Sequence, residues 1–365
     1  MTELGQKDNE NKYSHVSSLT GIIIESSYKA KQWWIDQGEF VGYEKAKKTL
    51  DELERIYQKY VPPSEELFME LKKNGFKSSE IESNSSDIEG LSIIGDTGSG
   101  KTFIIDQFEK MHIDKDKNQY IRNKKIYQQY PIARCILQDA KTGIKGLYPE
   151  MLRPFLSEIA ITNLTTSNVY KSFSDVKIDL HSKIVHYLIN TKVKLFFIDE
   201  FQHVRRKNNQ KKKNNQEVIN QLKQILNLTK TPFVLVGTKT VLDIIYEDDQ
   251  LSDRCPAKEY STLDYWNYDN RFRGFLKAYE SVLPFPESSN LHSKTISKII
   301  FEKVKFNTEP HAELTNLRNL VKYIKKIALN TLNLNLPSIT EDIIEKTPHF
   351  DRSRPKIQES NEYKK

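Results

Sequence analysis

Residues 95–102 have the residue types and spacing of a phosphate-binding loop. An apolar run, Leu91–Ile94, leads into "GDTGSGKT", and a helical pattern follows. The segment fits G-x-x-x-x-G-K-[ST], in which glycines let backbone N–H groups surround phosphates and the next helix adds its positive N-terminal end. We predict that Lys101 contacts the β- and γ-phosphates and that the Thr102 hydroxyl binds Mg²⁺; the alternative is a glycine-rich turn with an incidental lysine. The predicted nucleotide-binding residues are Gly95, Asp96, Thr97, Gly98, Ser99, Gly100, Lys101, Thr102 and Phe103.

An acidic pair at the end of a second apolar run supplies the other half of a hydrolytic site. The run "LFFIDE" ends in Asp199 and Glu200. We predict that Asp199 holds Mg²⁺ and that Glu200 orients and deprotonates the attacking water. Many strands end in exposed acids, so the pair gains its meaning from the phosphate loop upstream. Together they predict in-line hydrolysis of ATP at the γ-phosphorus, in which positioning and charge neutralisation supply most of the catalysis.

Apolar runs that alternate with helical patterns predict the elements that position these residues. Strands that are apolar almost throughout, with helices between them, indicate a parallel sheet covered on both faces. After about Tyr268 the strands stop and the remaining patterns are helical. The predicted strands are Leu91–Ile94, Pro131–Leu137, Val193–Glu200 and Thr231–Thr238, followed by "AKEYSTL"; the helices between them are Thr102–Met111, Leu147–Ile159, Val176–Leu188 and Gln216–Leu228.

These patterns divide the chain into four predicted parts. Residues 1–35 form a polar N-terminal extension, and residues 36–267 form the α/β nucleotide-binding domain. Residues 268–342 form a small all-α lid domain, and residues 343–365 form a flexible C-terminal tail that is polar and has no apolar period. Within the second part, apolar residues from Ala46 to Tyr57 recur at helical spacing.

Composition limits the broad class of the protein. Mean hydropathy is −0.64 and 37% of the residues are hydrophobic. No apolar run approaches the roughly 20 residues needed to cross a bilayer, and the polar N-terminus predicts no secretory signal. The two cysteines, Cys135 and Cys255, and the eight scattered histidines predict neither disulfides nor a structural metal. We therefore expect a cytoplasmic protein without a membrane partner.

The type of nucleotide-binding fold follows from what accompanies the phosphate loop. No N-K-x-D motif for guanine occurs, and the added helices after the sheet point to the AAA+ class of P-loop NTPases. Thr238 would lie between the phosphate-loop strand and the acidic strand, where it could sense the γ-phosphate or hold the attacking water; the alternative is a threonine that simply ends its strand. Arg254 would face a neighbouring subunit and stabilise its transition state; the alternative is a surface salt bridge with Asp249 or Asp253.

At this point the sequence resembles a known family. The segments "GDTGSGKT", "FFIDEFQHV", "FVLVGT" and "DDQLSDRC", in this order and spacing, resemble the TniB/TnsC-type AAA+ ATPases that regulate transposition in bacterial transposons, including CRISPR-associated ones. The resemblance covers roughly Val41 to Ile339, including "FLKAYESVLPFPESSNL". It implies ATP-dependent assembly on DNA, as rings or helical filaments, that passes a target-site choice to a transposase.

The resemblance also implies cofactors, partners and roles for individual residues. The cofactors are ATP and Mg²⁺; the partners are double-stranded DNA, further copies of the chain head to tail, a transposase, and a target-selector protein or CRISPR effector complex. Lys101 and Thr102 become nucleotide ligands, and Arg254 becomes the inter-subunit arginine. Tyr43 would lie near the adenine, and Arg318 would be a second nucleotide-sensing residue, for which Asn316 is an alternative. "SSEIESNSSDIEG" departs from the family's Arg/Pro-rich lead into the phosphate-loop strand.

Two basic segments are candidates for contacting DNA phosphates. One lies between the first sheet helix and the second strand, with Tyr120 and Tyr127 among its cations, and the other follows the acidic pair. We predict both as loops on the channel face of a ring or helical assembly, where they would make sequence-independent contacts. The alternative is a solvated charged loop, and a lysine-rich composition alone can explain the net charge of +7. The predicted DNA-binding residues are Arg122, Lys124, Lys125, Arg205, Arg206, Lys207 and Lys211.

Two other functions fit much of the same sequence. An AAA+ initiator or loader of DNA would use the same nucleotide chemistry. A nucleotide-gated signalling scaffold that acts on proteins would make the basic segments unimportant. DNA binding with a steep salt dependence separates the scaffold from the DNA-binding alternatives.

Overall fold

The computed structural model describes twelve ranges of the chain, which divides into two compact units. One unit is Glu44–Asp264, and the other joins Met1–Tyr43 to Tyr265–Lys365. Within the described ranges, no helix combines the length and apolar content needed to cross a membrane. The described residues are 27–37, 43–63, 69–70, 73, 89–112, 119–122, 125–138, 144–155, 180–204, 212–306, 311 and 313–348.

A five-stranded parallel sheet organises the Glu44–Asp264 unit, in the order β4-β5-β6-β1-β7. Every residue of β1, β5 and β6 is buried. Because successive side chains of a strand point to opposite faces, burial throughout means that both faces of these strands are covered. The strands are β1 (Leu91–Gly95), β4 (Ile132–Ile136), β5 (Leu195–Asp199), β6 (Phe233–Gly237) and β7 (Ala257–Leu263).

The strand order brings three strand ends together at one edge of the sheet. β1 ends at Gly95, β5 at Asp199 and β6 at Gly237. Parallel strands end at the same edge, which is where α/β proteins bind ligands. β6 pairs with both β1 and β5, so Thr238 follows the strand that separates the phosphate loop from the acidic pair.

Helices of this unit agree with the predicted pattern, with some shifts at their ends. Helix α2 buries Ala46, Leu50, Leu53 and Ile56, and Thr49 Oγ1 on the same face donates to Tyr260 O of β7 at 2.9 Å. Helix α4 ends seven residues before its predicted end, because Pro154 disfavours helical backbone at the residue before it. The helices are α2 (Glu44–Lys59), α3 (Lys101–His112), α4 (Ile144–Leu152), α5 (Leu180–Asn190), α6 (Lys212–Thr229), α7 (Thr240–Tyr246) and α8 (Asp249–Arg254), with 3-10 turns at Arg153–Phe155 and Phe201–Val204.

The prediction of a basic loop before β4 was wrong, because this segment forms a β-hairpin. Strands β2 (Gln119–Arg122) and β3 (Lys125–Gln128) pair antiparallel, with Arg122 opposite Lys125. Two residues separate the strands in the sequence, and this spacing favours a tight hairpin. Four residues on each side are enough for a paired ribbon, so the cationic composition did not prevent strand formation.

Helix α3 begins directly at the lysine of the phosphate loop. From its apolar residues, the sequence predicts that Phe103, Ile104 and Phe108 face inward. The structure buries Ile104 and Phe108 together with Ile105, whereas Phe103 is only half-buried. Ile105 is buried instead because the helix presents a wide apolar face to the sheet.

The second unit is helical, and it includes a helix that the sequence assigned to the polar extension. Trp34 Nε1 donates to Val282 O at 2.7 Å, and Ile35 is 3% exposed. Residues 27–37 and Tyr43 thus belong to the helical unit, whereas the predicted boundary placed the chain from residue 36 onwards with the sheet. The helices are α1 (Tyr28–Gln37), α9 (Asn270–Glu280), α10 (Lys294–Val304), α11 (Leu317–Asn333) and α12 (Glu341–Lys346).

Side-chain caps and a buried last helix complete this unit. Asp269, Ser293 and Asn316 each accept a hydrogen bond from a backbone N–H in the first turn of α9, α10 and α11. Helix α12 buries Ile343 and Ile344, so the described chain continues beyond the predicted start of the tail at residue 343. Residues 1–26 and 349–365 lie outside the described residues.

Candidate nucleotide-binding site

The loop after β1 has the backbone conformation of a phosphate cradle. Gly98 and Gly100 have φ values of 85° and 104°, a region that side chains disfavour. At Gly95 there is no space for a side chain, because a Cβ would lie 2.5 Å from Ser99 Oγ and 2.6 Å from Leu263 O. The glycines at these three positions therefore allow the loop to curl tightly against the end of the sheet.

Lys101 folds back over this loop. Its side chain is buried, and Nζ donates to Gly95 O at 2.5 Å and to Asp96 O at 3.2 Å. Thr102, one residue further into α3, is exposed. The ammonium group thus lies against the loop's own carbonyl groups, at the point where the sequence predicts phosphate.

The acidic pair occupies a sharp turn at the end of β5. Asp199 is 4% exposed, and its Oδ1 accepts from Glu200 N at 2.9 Å. Glu200 has a φ of 57°, which for a residue other than glycine costs roughly 1–2 kcal/mol. The turn keeps Asp199 buried while 46% of the Glu200 side chain remains exposed, so the two carboxylates face different surroundings.

Arg134 is a member of this site that the sequence analysis missed. From the middle of β4 its NH2 donates to Asp199 Oδ2 at 2.6 Å, and its NH1 donates to Asp106 Oδ1 of α3 at 2.8 Å. Burial opposes the charge of Arg134, but the hydrogen bonds to Asp199 and Asp106 and the charges of Asp199 and Glu109 outweigh it, so the pKa of the guanidinium is raised. The available signal was a charged residue inside an otherwise apolar strand.

Gln202 is a second missed residue, and it connects two predicted ones. Its Nε2 donates to Glu200 Oε2, and its Oε1 accepts from Thr238 N at 3.2 Å. The Thr238 hydroxyl lies 2.8 Å from Thr240 Oγ1. A polar residue two positions after the acidic pair was the signal for Gln202, but a spacing of two does not reveal contact with another strand.

Lys239 also lies at this edge of the sheet. Its Nζ is 3.4 Å from Asp96 Oδ2, and its side chain is 54% exposed. Asp96 is thus approached by one lysine at its carboxylate and by Lys101 at its carbonyl. The segment after β6 therefore adds a cation next to the phosphate loop.

Arg254 ends α8 with its side chain inside its own unit. It is 8% exposed, and its NH1 has no hydrogen-bond partner among the described residues. Its carbonyl accepts from Gly90 N at 2.6 Å, which joins α8 to the residue before β1. A salt bridge with Asp249 or Asp253 is not among the ion pairs of the described residues. The predicted role in a neighbouring subunit stays a prediction.

The other predicted site residues include two that belong to the helical unit and several that lie outside the described residues. Tyr43 belongs to the helical unit, where its ring meets the Trp266 ring edge to face with 5.2 Å between centroids. Arg318 is exposed near the start of α11. Asn316, its alternative, caps that helix by accepting from Asn319 N at 2.8 Å. Outside the described residues are Lys124, Arg205, Arg206, Lys207 and Lys211.

The residues at this edge suit a nucleotide with Mg²⁺. The cradle offers backbone N–H groups and Lys101 for phosphates, while a hydroxyl at Thr102 and a carboxylate at Asp199 are oxygen ligands of the kind that Mg²⁺ prefers. No group of three or more His, Cys, Asp or Glu side chains within the described ranges could hold a metal. Phosphate and water oxygens supply the remaining ligands where Mg²⁺ is bound with a nucleotide.

Fold and site together define an AAA+ P-loop NTPase. The sheet order β4-β5-β6-β1-β7, the phosphate loop after β1 and the acidic pair after β5 are its determinants. The chain belongs to the bacterial TniB family, because the family model described as bacterial TniB protein matches residues 77–267, more than half of the 365 residues. Both the predicted fold class and the family resemblance are confirmed.

Among the solved structures to which this chain is similar are three of origin-recognition proteins. The Aeropyrum pernix ORC2 protein in ADPNP–ADP complexes has 13% identity and a TM-score of 0.42, covering 80% of this chain and 70% of that one. A. pernix ORC1 in complex with DNA has 10% identity and a TM-score of 0.36, covering 78% and 64%. Drosophila ORC bound to DNA has 10% identity and a TM-score of 0.38, covering 84% and 66%. Curated proteins gave no match.

Proposed function

We propose that this protein is an ATPase that assembles on target DNA when it binds ATP and links the choice of a target site to a transposase. The observation that carries the proposal is the meeting of the phosphate loop, the acidic pair and Thr238 at one edge of the sheet. Membership of the TniB family supports the link to transposition. The cytoplasm is the proposed location.

The proposed reaction is hydrolysis of the γ-phosphate by water. Lys101 would leave the carbonyls of its own loop and donate to the β- and γ-phosphates. Thr102 and Asp199 would hold Mg²⁺, which neutralises phosphate charge when it is bound. Glu200 would accept a proton from the attacking water, a role supported by its exposure beside the buried Asp199. Thr238 follows β6, which lies between β1 and β5, and it would contact the γ-phosphate from there.

The hairpin β2–β3 supports the proposed contact with DNA. Its register pairs Tyr120 with Tyr127 and Arg122 with Lys125. The two cations are therefore opposite each other in the ribbon, two residues from the paired tyrosines. Cations held together in this way would contact phosphates without reading sequence. A two-stranded ribbon also fits the major groove of duplex DNA.

Assembly is proposed to use Arg254 across a head-to-tail interface. A buried guanidinium nitrogen without a hydrogen bond is unfavourable, so the side chain would gain from turning towards a neighbour's γ-phosphate. An interface of this kind is heterologous, and it closes into a ring or continues as a helix. Nucleotide state would then control assembly, with ATP building the DNA-bound polymer and hydrolysis releasing it.

Electron microscopy of the purified chain with duplex DNA tests this function. We expect regular DNA-bound assemblies with ATP, longer-lived assemblies for Glu200→Gln, and none for Lys101→Ala or without nucleotide. The matched control is Lys45→Ala, which removes another lysine that donates to a backbone carbonyl, Thr262 O at 2.8 Å. Assembly that ignores ATP contradicts the proposal, and monomers under every condition favour a signalling scaffold.

A further inference from the structure

Gln202 joins two residues on which the proposed hydrolysis depends. Its side-chain amide donates from Nε2 to Glu200 Oε2, and it accepts at Oε1 from the backbone N–H of Thr238, with 3.2 Å between the heavy atoms. One side chain therefore spans from the turn after β5 to the residue after β6. The turn after β5 carries Glu200, the proposed base, and the residue after β6 is Thr238, the proposed phosphate sensor.

The partners of Gln202 allow only one orientation of its amide. The Thr238 N–H can only donate, so it must face the carbonyl oxygen of the amide. The Glu200 carboxylate can only accept when ionised, so it must face the NH₂ group. An amide can satisfy both partners at once, whereas a carboxylate in the same place could not donate to Glu200.

The backbone on both sides makes room for this bridge. The left-handed φ of 57° at Glu200 begins the turn, and the 3-10 turn Phe201–Val204 continues it, with His203 N donating to Glu200 O at 2.9 Å. On the other strand, a Cβ at Gly237 would overlap Gln202 Oε1. The glycine that ends β6 therefore leaves the space that the amide occupies.

We infer that Gln202 is a positioning residue that couples the carboxylate of Glu200 to the strand end at Thr238. The inference rests on the proposed ATPase function, and it adds a mechanism by which the position of Glu200, the proposed base, responds to the nucleotide. While the Thr238 N–H is bound to Gln202, one oxygen of Glu200 is held by the same amide. A shift of Thr238 towards a γ-phosphate would move the amide, and the amide would move the carboxylate that activates water.

Steady-state kinetics with a double-mutant cycle test the coupling. We expect Gln202→Ala to lower kcat by about 10- to 100-fold, because a displaced base is poorly aligned for proton transfer. Nucleotide Kd should stay within about 2-fold, because the hydrogen bonds of Gln202 go to Glu200 and Thr238 and not to the phosphate loop. Thr238→Ala keeps the backbone N–H that Gln202 accepts but removes the hydroxyl proposed to contact the γ-phosphate. It should lower kcat in the native background but add little in Gln202→Ala, because the two changes interrupt the same path from the γ-phosphate to Glu200.

Two further variants separate coupling from a loss of folding. Gln202→Glu keeps an acceptor for Thr238 but loses the donor to Glu200, so it should lower kcat as well. Gln58→Ala removes another glutamine amide that donates to a glutamate, Glu54 Oε1 at 2.7 Å, and it should leave kcat unchanged. A native kcat in Gln202→Ala, or effects of Gln202→Ala and Thr238→Ala that multiply, would overturn the inference.

Hydrogen exchange gives a second readout that does not need turnover. With an ATP analogue that resists hydrolysis, exchange in residues 200–204 should change in the native chain and stay constant in Gln202→Ala. Equal changes in both proteins contradict the coupling. A native chain that binds the analogue but never hydrolyses ATP contradicts the proposed ATPase function instead, so the two failures are distinguishable.

Discussion

Arg134 NH2 lies 2.6 Å from Asp199 Oδ2, and this contact gives the predicted metal ligand a positive partner from the neighbouring strand. Asp199 is 4% exposed, and a buried carboxylate without a partner is strongly unfavourable. The same guanidinium reaches Asp106 on the helix that starts at the phosphate loop. Arg134 therefore stabilises the acidic end of β5 before any nucleotide arrives.

Replacing Arg134 should destabilise the nucleotide-free protein more than the loaded one. In Arg134→Ala, Asp199 loses its buried partner, so the free energy of unfolding should fall by about 3 kcal/mol. Nucleotide with Mg²⁺ should recover part of this loss, because it brings a new positive charge to the carboxylate. Thermal unfolding with and without Mg²⁺ and nucleotide measures the difference. Arg134→Lys is the control that keeps the charge, and equal losses in both states would contradict the expectation.

Adding one methyl group at Gly237 should reproduce the effect of losing Gln202. A Cβ there would overlap Gln202 Oε1 and lie 2.6 Å from Val241 Cγ2, so the amide must leave its position. We expect Gly237→Ala to lower kcat and to leave nucleotide affinity nearly unchanged. The control is Gly274→Ala on α9, where a Cβ meets nothing within 4 Å; it should stabilise the helix by about 0.5–1 kcal/mol. Unchanged turnover in Gly237→Ala would count against the amide bridge.

A single cation on the hairpin should change the salt dependence of DNA binding. Arg122 pairs with Lys125 in the hairpin. If it contacts a phosphate, Arg122→Ala should weaken binding to all duplex sequences alike and reduce the slope of log K against log salt by about 1. Fluorescence anisotropy across a salt series measures the slope. The control is Lys48→Ala, on the exposed surface of α2, which should leave the slope unchanged. If Arg122→Ala has the same slope as the native chain, the hairpin does not contact DNA phosphates in the proposed way.

Acid should weaken the attachment of α2 to the sheet through Glu52. Hydrogen bonds from Arg55 and Lys258, which outweigh burial, lower the pKa of Glu52 to about 2. A lowered pKa means that the carboxylate stabilises the fold above its unfolded value near 4.5 and loses this contribution as pH falls towards 2. The difference in unfolding free energy between the native chain and Glu52→Gln should therefore shrink between about pH 6 and about pH 3. A constant difference would show that Glu52 acts only by packing.

Local patterns in the sequence were enough to predict the parallel sheet and the two strands, β1 and β5, whose ends carry predicted site residues. The apolar runs that end at Gly95 and Asp199 are buried strands, because hydrophobic burial acts on each run by itself. Arg134 and Gln202 could not be found in this way. Their contacts join residues 65 and 36 positions apart, and a single sequence does not state which strands are neighbours. Trp34 was missed for the same reason, since its partner Val282 is 248 positions away.

Because β6 lies between β1 and β5, the distance from the phosphate loop to the acidic pair is fixed by the sheet. Neighbouring strands lie about 4.8 Å apart, so the cradle and the carboxylates are separated by roughly 10 Å. A diphosphate anchored in the cradle would end short of the far carboxylates, whereas a third phosphate would extend into the gap beside Thr238. The sheet would then distinguish nucleotides by the length of their phosphate chain. The spacing of the strands would decide whether a terminal phosphate reaches Thr238, and the side chains would decide how strongly it is bound there.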